Sequence, residues 1–384
     1  MASTVKFYLN PFYLTDNYCP EAIQLADGFK AMGWNVLGNI NYWVRSDGFL
    51  ISEDNLNTPV DLVIMDHRFV HHTKSWVIQG HVQTEKEAEA PRVLLERQCG
   101  QEQFPQWNRD GWLGFFDLIL ATDRTAHHPS HQKIAPWQIG VIQEVIDSID
   151  ESKGAPTSDS VLCNFRVGHD VRGRLTRDIE AGLARFQRLS FLQAFDALED
   201  ESSAEEKSLN TATGGRFNPS YLSRIGKHLG VLAYGGYLVV KPFEYTSMDA
   251  EGKLRLPWTT RLERKVRRTL QSSRPEGSRH HVAYQWDSFR WWETLVAGCA
   301  PITLDFDYWG LSLPVLPVEG EHYIGIEELD GRLAAEKLSN MPKEEYLRIG
   351  RAGRAWFEEH YSPKAQAQRL LDELLQRGCT IGAV

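Results

Sequence analysis

Short apolar runs that end in polar residues recur through the first third of the chain. They lie at residues 5–9, 60–65, 92–95 and 116–121. A strand without polar alternation is expected where a sheet is covered on both faces, as in parallel sheets between two layers of helices. After the first run, Pro20 opens a stretch with apolar residues at helical spacing, Gly33 is expected to end that helix, and a second strand is expected at 34–37. This β-α-β order predicts an α/β fold.

The chain is long for a single hydrophobic core, and its 384 residues suggest two domains. Residues 146–160 are polar and contain glycine and proline, so we expect a link there and place an N-terminal domain at residues 1–150. A second α/β series follows this link. It comprises a strand at 160–165, a helix at 176–197, strands at 229–233, 237–241 and 301–304, and a helical tail at 342–377.

Composition narrows the class of protein. With 42% hydrophobic and 24% charged residues, the chain has an ordinary globular composition. Its five scattered cysteines fit neither a disulfide framework nor a thiolate zinc site. The net charge of −9 gives no general attraction to nucleic acid or anionic lipid. The first residues show neither a signal peptide nor a membrane span, so a cytoplasmic location is expected.

Polar side chains follow the apolar runs directly. They are Asn10, Asp66, His67, Glu96, Arg97, Thr122 and Asp123. In open α/β sheets, ligands bind beyond the carboxyl ends of the strands. We therefore expect these residues to line one wall of a cleft, and the carboxylates and the histidine among them are candidates for acid–base chemistry.

Residues 287–302 carry the most specific pattern in the chain. Apolar residues between 289 and 296 would share one side of a helix that Gly298 caps. Arg290 and Glu293 lie near the start of this helix, where the dipole and free backbone N–H groups favour an anion. The guanidinium of Arg290 suits phosphate, and the carboxylate of Glu293 suits two vicinal ribose hydroxyls. The alternative is an ion pair on the helix surface.

A second candidate phosphate site is the glycine-containing turn at residues 164–174, between a strand and a helix of the second domain. Its backbone N–H groups, together with Arg166, Arg172 or Arg174, are suited to cradle a pyrophosphate and to stabilise a departing diphosphate without a metal. A solvated basic loop is the alternative, because short strings of glycine and arginine are not specific.

The strings at residues 290–294 and 298–302 resemble the donor-binding motif of GT-B glycosyltransferases. They are similar to the exostosin-type and CgeB-type enzymes and to the phage DNA β-glucosyltransferases. Residues 346–356 and 360–365 resemble the closing helices of many GT-B enzymes. The resemblance covers the second domain by sequence and the first domain only by the layout of its elements.

The resemblance implies two Rossmann-like domains facing across a cleft. Residues 151–360 would bind a nucleotide-sugar, and residues 361–384 would form a helix that packs back on the N-terminal domain. In those families, the glutamate that matches Glu293 binds the ribose and the arginine that matches Arg290 contacts the diphosphate. The implied activity is transfer of a sugar from a UDP-sugar to a hydroxyl of a glycan or small molecule, with no cofactor and no metal.

The resemblance also bears on stereochemistry and on the catalytic base. Many retaining members carry a second glutamate eight residues before the first, where this chain has Gln285, so we expect inversion. Inversion requires a group that takes the proton of the acceptor hydroxyl. Glu96 is the first choice, because its strand lies roughly where the phage enzymes carry their catalytic acid. Asp66, His67 and Asp123 are the other candidates.

Two patterns favour other ligands. Asp305 and Asp307 imitate the metal-binding D-x-D pair of the other large glycosyltransferase fold, but they follow a strand and are expected to form hydrogen bonds at a loop end. The basic stretch at 261–279 favours a nucleic-acid acceptor such as modified DNA. A nucleotide-sugar epimerase of the same fold and a non-catalytic nucleotide- or sugar-binding module are further alternatives.

Overall fold

The fold was determined from a computed structural model of the chain. It describes residues 2–10, 18–54, 58–72, 89–97, 112–126, 128, 130–151, 154, 156–165, 170–194, 202–240 and 281–382. The basic stretch at 261–279 and Arg166 lie outside these residues.

Eight strands of the N-terminal part form one sheet. In chain order they are β1 Thr4–Tyr8, β2 Asn35–Gly38, β3 Tyr42–Arg45, β4 Gly48–Glu53, β5 Leu62–Asp66, β6 Arg92–Glu96, β7 Leu118–Ala121 and β8 Ile134–Pro136. The order across the sheet is β3-β4-β2-β1-β5-β6-β7-β8. Neighbouring strands are parallel except in the hairpin β3–β4. Strands β1, β5 and β7 are buried along their whole length, as their apolar runs predicted.

Five strands of the C-terminal part form a second sheet, whose neighbouring strands are all parallel. They are β9 Ser158–Cys163, β10 Ser190–Gln193, β11 His228–Leu232, β14 Ala300–Leu304 and β15 Ile324–Ile326, in the spatial order β10-β9-β11-β14-β15. Strands β12 Tyr237–Val240 and β13 His281–Tyr284 form a separate antiparallel pair. Two parallel sheets with intervening helices confirm the predicted α/β class.

Helices connect and cover the strands. In chain order they are α1 Pro20–Ala31, α2 His67–His72, α3 Trp112–Phe115, α4 Gln143–Glu151, α5 Asp170–Phe186, α6 Ala204–Ala212, α7 Pro219–Ile225, α8 Phe289–Ala297, α9 Phe306–Trp309, α10 Gly331–Asn340, α11 Lys343–His360 and α12 Pro363–Gln376. None of the helices that the structure describes is long and apolar enough to cross a bilayer.

Helix α8 begins and ends where its sequence predicted. The hydroxyl of Ser288 accepts a hydrogen bond from the Trp291 N–H at 3.3 Å, which satisfies one of the free donors of the first turn. Gly298 ends the helix in the left-handed region, with a φ of 70°, a conformation that glycine adopts without steric cost. Residues 291–296 are all buried, so most of the helix lies inside the protein.

Two boundaries expected from the sequence are wrong. Helix α4 covers the first part of the expected link at 146–160, because Val145 and Ile149, one turn apart, are buried against the core. The helix expected at 176–197 ends at Phe186, since Gln187 adopts a φ of 55° that cannot continue a right-handed helix. Strand β10 then follows and pairs with β9. The position of the domain boundary itself stays a prediction.

Helix α12 packs against helix α1. The side-chain amide of Gln24 in α1 donates to the backbone carbonyl of Tyr361, just before α12, at 2.9 Å. One turn further along α1, Gly28 lies directly against Pro363 and Ala367. A methyl group at Gly28 would overlap the Pro363 carbonyl oxygen and lie 2.7 Å from Cβ of Ala367. Only glycine therefore allows this close approach of the two helices.

We predict that Gly28→Ala lowers the free energy of unfolding by about 1–3 kcal/mol, because the added methyl group must push α1 and α12 apart. Gly226→Ala is the matched control, since a methyl group at Gly226 meets no atom within 4 Å and its φ is −68°. Urea unfolding of both variants measures the difference. Equal stability of the two would contradict the close packing of α1 on α12.

Candidate functional site

The second sheet has a switch point between its strands β9 and β11. From β9 the chain continues to β10, which lies beside β9 toward one edge of the sheet. Strand β11 lies on the opposite flank of β9 and leads on to β14. In such sheets, a crevice opens outside the carboxyl ends of the two strands that flank the switch point. Asn164 directly follows β9, and Tyr234 lies two residues beyond β11. Both residues are buried.

Two arginine side chains converge on this crevice. Arg290, the second residue of α8, donates from Nε to the backbone carbonyl of Asn164 at 2.7 Å. Arg172, in the first turn of α5, donates from Nε to the backbone carbonyl of Tyr234 at 3.0 Å. Each guanidinium is thus anchored to the end of one of the two strands at the switch point. We call the group of Arg172, Arg290 and Glu293 the α8 crevice.

The positive charges in the α8 crevice influence one another. Burial lowers the pKa of Arg172 to about 10, and the nearby charge of Arg290 contributes to this shift. Arg172 stacks over the ring of Phe165 at 4.5 Å, and Arg290 over the ring of Tyr221 at 4.3 Å. An anion placed beside both guanidiniums would oppose the mutual repulsion that lowers this pKa. The crevice is therefore electrostatically suited to a phosphate group.

Glu293 is the acidic member of the α8 crevice. Glu293 is only 3% exposed, and its Oε2 accepts hydrogen bonds from Nη1 of Arg290 at 2.7 Å and from the Tyr221 hydroxyl at 3.0 Å. The pair with Arg290 that helical spacing suggested does form, but its carboxylate is buried rather than exposed on the helix surface. Both of these hydrogen bonds end on one oxygen, Oε2.

Tyr221 is a residue of this site that the sequence analysis did not identify. Asn218 caps the N-terminus of α7 by accepting from the backbone N–H groups of Ser220 and Tyr221, and Pro219 occupies the first helical position. An asparagine followed by proline is a recognisable helix start, so α7 was predictable from sequence. The contact of Tyr221 with Glu293 was not, because 72 residues separate them.

Two other residues expected at the phosphate turn cannot be placed. Arg166 lies outside the described residues, and so does the side chain of Arg174, although its backbone lies in α5. Arg172 is the one member of the predicted set 166, 172 and 174 whose side chain the structure describes. It donates to the end of β11 and also stacks over Phe165 in the turn that follows β9.

Three of the expected acid–base candidates lie at the ends of neighbouring strands of the first sheet. Asp66 ends β5, His67 follows it, and Glu96 ends the adjacent strand β6. All three are buried, and together with Glu21 and Arg97 they surround one small space that is too narrow for a water molecule. We call these five residues the β5–β6 cluster. From the sequence, these strand-end residues were expected to lie close together, and they do. Glu21, from the first turn of α1, was not expected among them.

Asp66 is held by two basic neighbours. Nδ1 of His67 lies 3.0 Å from one carboxylate oxygen, and Nε of Arg68 lies 3.1 Å from the other. Burial alone would raise the pKa of Asp66, but the contact with His67 and the charges of His67 and Arg68 hold it below its ordinary value. Asp66 is therefore a stable anion in an ion-pair network.

Glu96 is 1% exposed and lies beside the charged pair of Glu21 and Arg97, whose closest atoms are 3.5 Å apart. Arg97 also lies 5.7 Å from the ring of Phe289, the first residue of α8. This contact brings the β5–β6 cluster next to the helix that carries Arg290 and Glu293.

Asp123, the remaining candidate, bridges the two sheets. Its Oδ1 accepts from the backbone N–H of Asp287 at 2.7 Å, just before α8. Asp287 accepts in turn from the Ile139 N–H and from Nε1 of Trp292, both at 2.8 Å. Burial raises the pKa of Asp123 to about 7. Burial, with the charge of Asp123 next, raises the pKa of Asp287 well above its ordinary value.

The D-x-D pair at residues 305 and 307 serves a helix start. One carboxylate oxygen of Asp305 accepts from the Tyr308 N–H at 2.7 Å, and the other accepts from the Tyr323 hydroxyl at 3.2 Å. Asp307 is exposed within α9. Within the described ranges, no three histidine, cysteine or acidic side chains are grouped so as to hold a metal ion.

No protein-family model and no curated protein matches this sequence. Several solved structures align with it along nearly its whole length. A glycosyltransferase from Rickettsia africae is 11% identical, with a TM-score of 0.49 and 98% of each chain covered. HepE from Anabaena, solved with UDP-glucose, is 10% identical, with a TM-score of 0.47 and coverage of 97% of this chain and 99% of its own.

WaaG, a glycosyltransferase involved in lipopolysaccharide biosynthesis, is 12% identical, with a TM-score of 0.42 and coverage of 97% of this chain and 99% of its own. At TM-scores below 0.5, these similarities carry no conclusion about the activity of this chain. The side chains of the α8 crevice and of the β5–β6 cluster are the features of this chain that bear on its function.

We predict that the Asp123–Asp287 pair makes stability depend on pH. Because the pKa of Asp123 is raised in the folded state, the folded chain binds more protons than the unfolded one between about pH 4 and 7. Its stabilising contribution is complete below about pH 4 and is lost as the pH rises through about 7. The free energy of unfolding should fall by about 1 kcal/mol or more from pH 5 to pH 8.

Urea unfolding at several pH values measures this slope. Asp123→Asn keeps an acceptor for the Asp287 N–H and removes the titrating group, so the slope should become flatter. Asp307→Asn, at an exposed position, is the control. A slope in Asp123→Asn as steep as in the parent protein would show that Asp123 is not its source.

Proposed function

We propose that the chain is a glycosyltransferase that moves a sugar, of the hexosyl class, from a UDP-sugar to a hydroxyl of a glycan or small-molecule acceptor. The observation that carries the proposal is the geometry of the α8 crevice. Two guanidiniums are anchored at the carboxyl ends of the strands that flank the switch point, and a buried carboxylate lies beside them. Positive charge for a diphosphate and a carboxylate for a ribose are thereby combined in one place.

The diphosphate of the donor would lie against Arg172 and Arg290. Both side chains belong to the first turns of helices, α5 and α8, where the helix dipoles favour negative charge. In glycosyl transfer, the negative charge on the departing diphosphate increases in the transition state, and fixed cations stabilise it. The two guanidiniums supply this charge, so the proposed mechanism needs neither a metal nor a cofactor.

Glu293 would bind the ribose. Its Oε2 is already held by Arg290 and Tyr221, which fixes the plane of the carboxylate before any ligand arrives. The remaining oxygen, Oε1, is the acceptor for the ribose hydroxyls in this proposal. Preorganisation of this kind reduces the ordering cost of binding. Residues 151–360 would thus form the donor domain.

The β5–β6 cluster would supply the base from the opposite side, in the acceptor domain at residues 1–150. We assign this role to Glu96. Asp66 is less suited, because its ion pairs with His67 and Arg68 lower its pKa and weaken it as a proton acceptor. Asp123 is less suited as well, since it accepts from Asp287 across the sheet junction. Inversion follows if the acceptor oxygen gives its proton to Glu96 and bonds to the sugar carbon on the face opposite the departing diphosphate. Gln285, in place of a second glutamate, is in line with this course.

We predict that Arg290→Ala and Glu293→Gln each weaken UDP binding by about 1–3 kcal/mol, the range for losing a hydrogen bond to a charged group. The ion pair of Glu345 and Arg348 on α11 has the same i,i+3 spacing and is exposed, so Arg348→Ala and Glu345→Gln are matched controls. Calorimetric titration with UDP measures all four variants. UDP affinity that is unchanged in a folded Glu293→Gln protein would contradict the ribose assignment.

We predict that Glu96→Gln lowers the rate of sugar transfer by about 100-fold to 10,000-fold while UDP affinity stays unchanged, because a general base contributes to the chemical step and not to donor binding. The assay follows UDP release from several UDP-sugars with and without a panel of glycan, small-molecule and DNA acceptors. Full activity of Glu96→Gln would assign the base to another residue.

The same assay separates this function from the other candidates. UDP release that requires an acceptor hydroxyl supports transfer. Conversion of one UDP-sugar into another without an acceptor would indicate an epimerase, and binding of UDP without turnover would indicate a binding module. Transfer to modified DNA alone would indicate a DNA glycosyltransferase.

A further inference from the structure

A second large concave site lies away from the α8 crevice. It is bounded by the β3–β4 hairpin of the first sheet on one side and by helices α4 and α6 on the other. We call it the hairpin groove, and its lining comes from residues 41–49, 143–147 and 205–212. Its volume is about 930 Å³. Small-molecule sites commonly range from about 300 to 1,000 Å³, so the groove is large enough for an organic ligand.

Part of the groove is apolar and exposed. Val44 and Phe49 are directly paired across the hairpin, and they are 72% and 43% exposed. A valine beside a phenylalanine on one face of a hairpin forms a continuous apolar surface. Leu209 and Ala212, one turn apart on α6, add apolar surface on the opposite wall. A ligand with an apolar body would remove this surface from water.

The rest of the lining is acidic. Among the described residues, four carboxylates line the groove, from Asp47, Glu144, Asp147 and Glu205, and the lining contains one cation, Arg45. Lys30, outside the lining, pairs with Asp47 at 3.2 Å. The guanidinium of Arg45 is already committed, since it contacts both carboxylate oxygens of Asp27 and also donates to Glu144 at 2.8 Å. The acidic side chains on α4 and α6 therefore dominate the charge that a ligand would meet.

The inner wall of the groove is held in an unusual backbone conformation. Trp43 has a φ of 61°, which is rare for a bulky residue and costs of the order of 1–3 kcal/mol. Its indole Nε1 donates to Glu144 at 2.7 Å, and this bond holds it against α4. The Trp43 ring also lies 5.8 Å from that of Tyr18, which stacks on Phe289 at the start of α8. The groove wall is thus fixed before a ligand binds.

We propose that the hairpin groove binds an organic amine with an apolar body. The ammonium group would be attracted by Asp147 and Glu205, and the apolar body would cover Val44 and Phe49. Aromatic rings near a cation add a further attraction, which Phe49 and Trp43 provide here. The proposal is independent of the glycosyltransferase function, since it uses none of the residues of the α8 crevice or of the β5–β6 cluster.

The probe is 4-phenylbutylamine, which joins a phenyl ring to a primary ammonium group. Calorimetric titration of the full chain compares it with 4-phenylbutanol and with 4-phenylbutyrate. We expect the amine to bind about tenfold more tightly than the alcohol, and the butyrate not to bind. Added salt should weaken the binding of the amine, because exposed charges are screened. Equal affinity for amine and alcohol, or no binding of the amine, would overturn the proposal.

Single variants locate the site. Glu205→Gln and Asp147→Asn should each weaken amine binding about twofold to fivefold, as expected for one exposed ion pair. Glu151→Gln is the matched control, because Glu151 is exposed on α4 outside the groove and its loss changes the net charge equally. An equal effect of all three variants would show non-specific attraction to an acidic protein and would overturn the proposal.

The apolar contact has its own test. Phe49→Ser should weaken amine binding about fivefold, because the phenyl group of the probe loses its apolar surface. Leu333→Ser, at a residue that is 47% exposed on α10 outside the groove, should leave the affinity unchanged. Unchanged affinity in Phe49→Ser would place the amine elsewhere and would contradict the assignment.

Discussion

The burial of helix α8 is the constraint on which the rest of the structure depends. Its two tryptophans lie in an aromatic cluster, in which Trp292 stacks nearly parallel to Trp356 of α11, with an angle of 8° between the rings, and contacts Tyr361 at 4.8 Å. A helix that is packed so closely cannot rotate without losing these contacts. The directions in which Arg290 and Glu293 point are therefore set by the core and not by the side chains themselves.

The same burial explains why the polar groups around α8 are connected. Trp292 needs an acceptor for its indole N–H, and Asp287 provides it. Asp287 is itself buried and needs donors, which come from Ile139 and Trp292. Its own backbone N–H then requires an acceptor, which is the carboxylate of Asp123 on the first sheet. The hydrogen bond that Trp292 requires in the core of the second sheet is thus the first of a series of contacts that links the two sheets.

Much of this fold could be predicted from the sequence, because its signals are local. The strands at β1, β5 and β7 are continuous apolar runs, and α8 carries its own cap residues, Ser288 and Gly298. The hairpin β3–β4 was missed, although Asp47-Gly48, which is a common hairpin signal, spans the end of its turn and the start of β4. Helix α4 was missed because its polar residues resemble a linker, while only Val145 and Ile149 of this helix are fully buried.

The candidate site was predictable only in part. Arg290 and Glu293 could be recognised because they lie on one helix, and Asp66 and Glu96 because both end strands. The hydroxyl of Tyr221, the carboxylate of Glu21 and the carbonyls of Asn164 and Tyr234 enter through contacts between distant parts of the chain. Such contacts depend on how the elements pack, which periodicity and caps do not encode.

The contact of α1 with α12 has a consequence for how the chain reaches its native state. Helix α1 lies next to the first strand of the fold, yet Gln24 and Gly28 are covered by residues that follow Tyr361. During synthesis, the ribosome releases α1 more than 300 residues before its partner. One side of the first sheet's helix layer therefore stays open to water and to chaperones until α12 has emerged, and contacts between such distant segments form slowly.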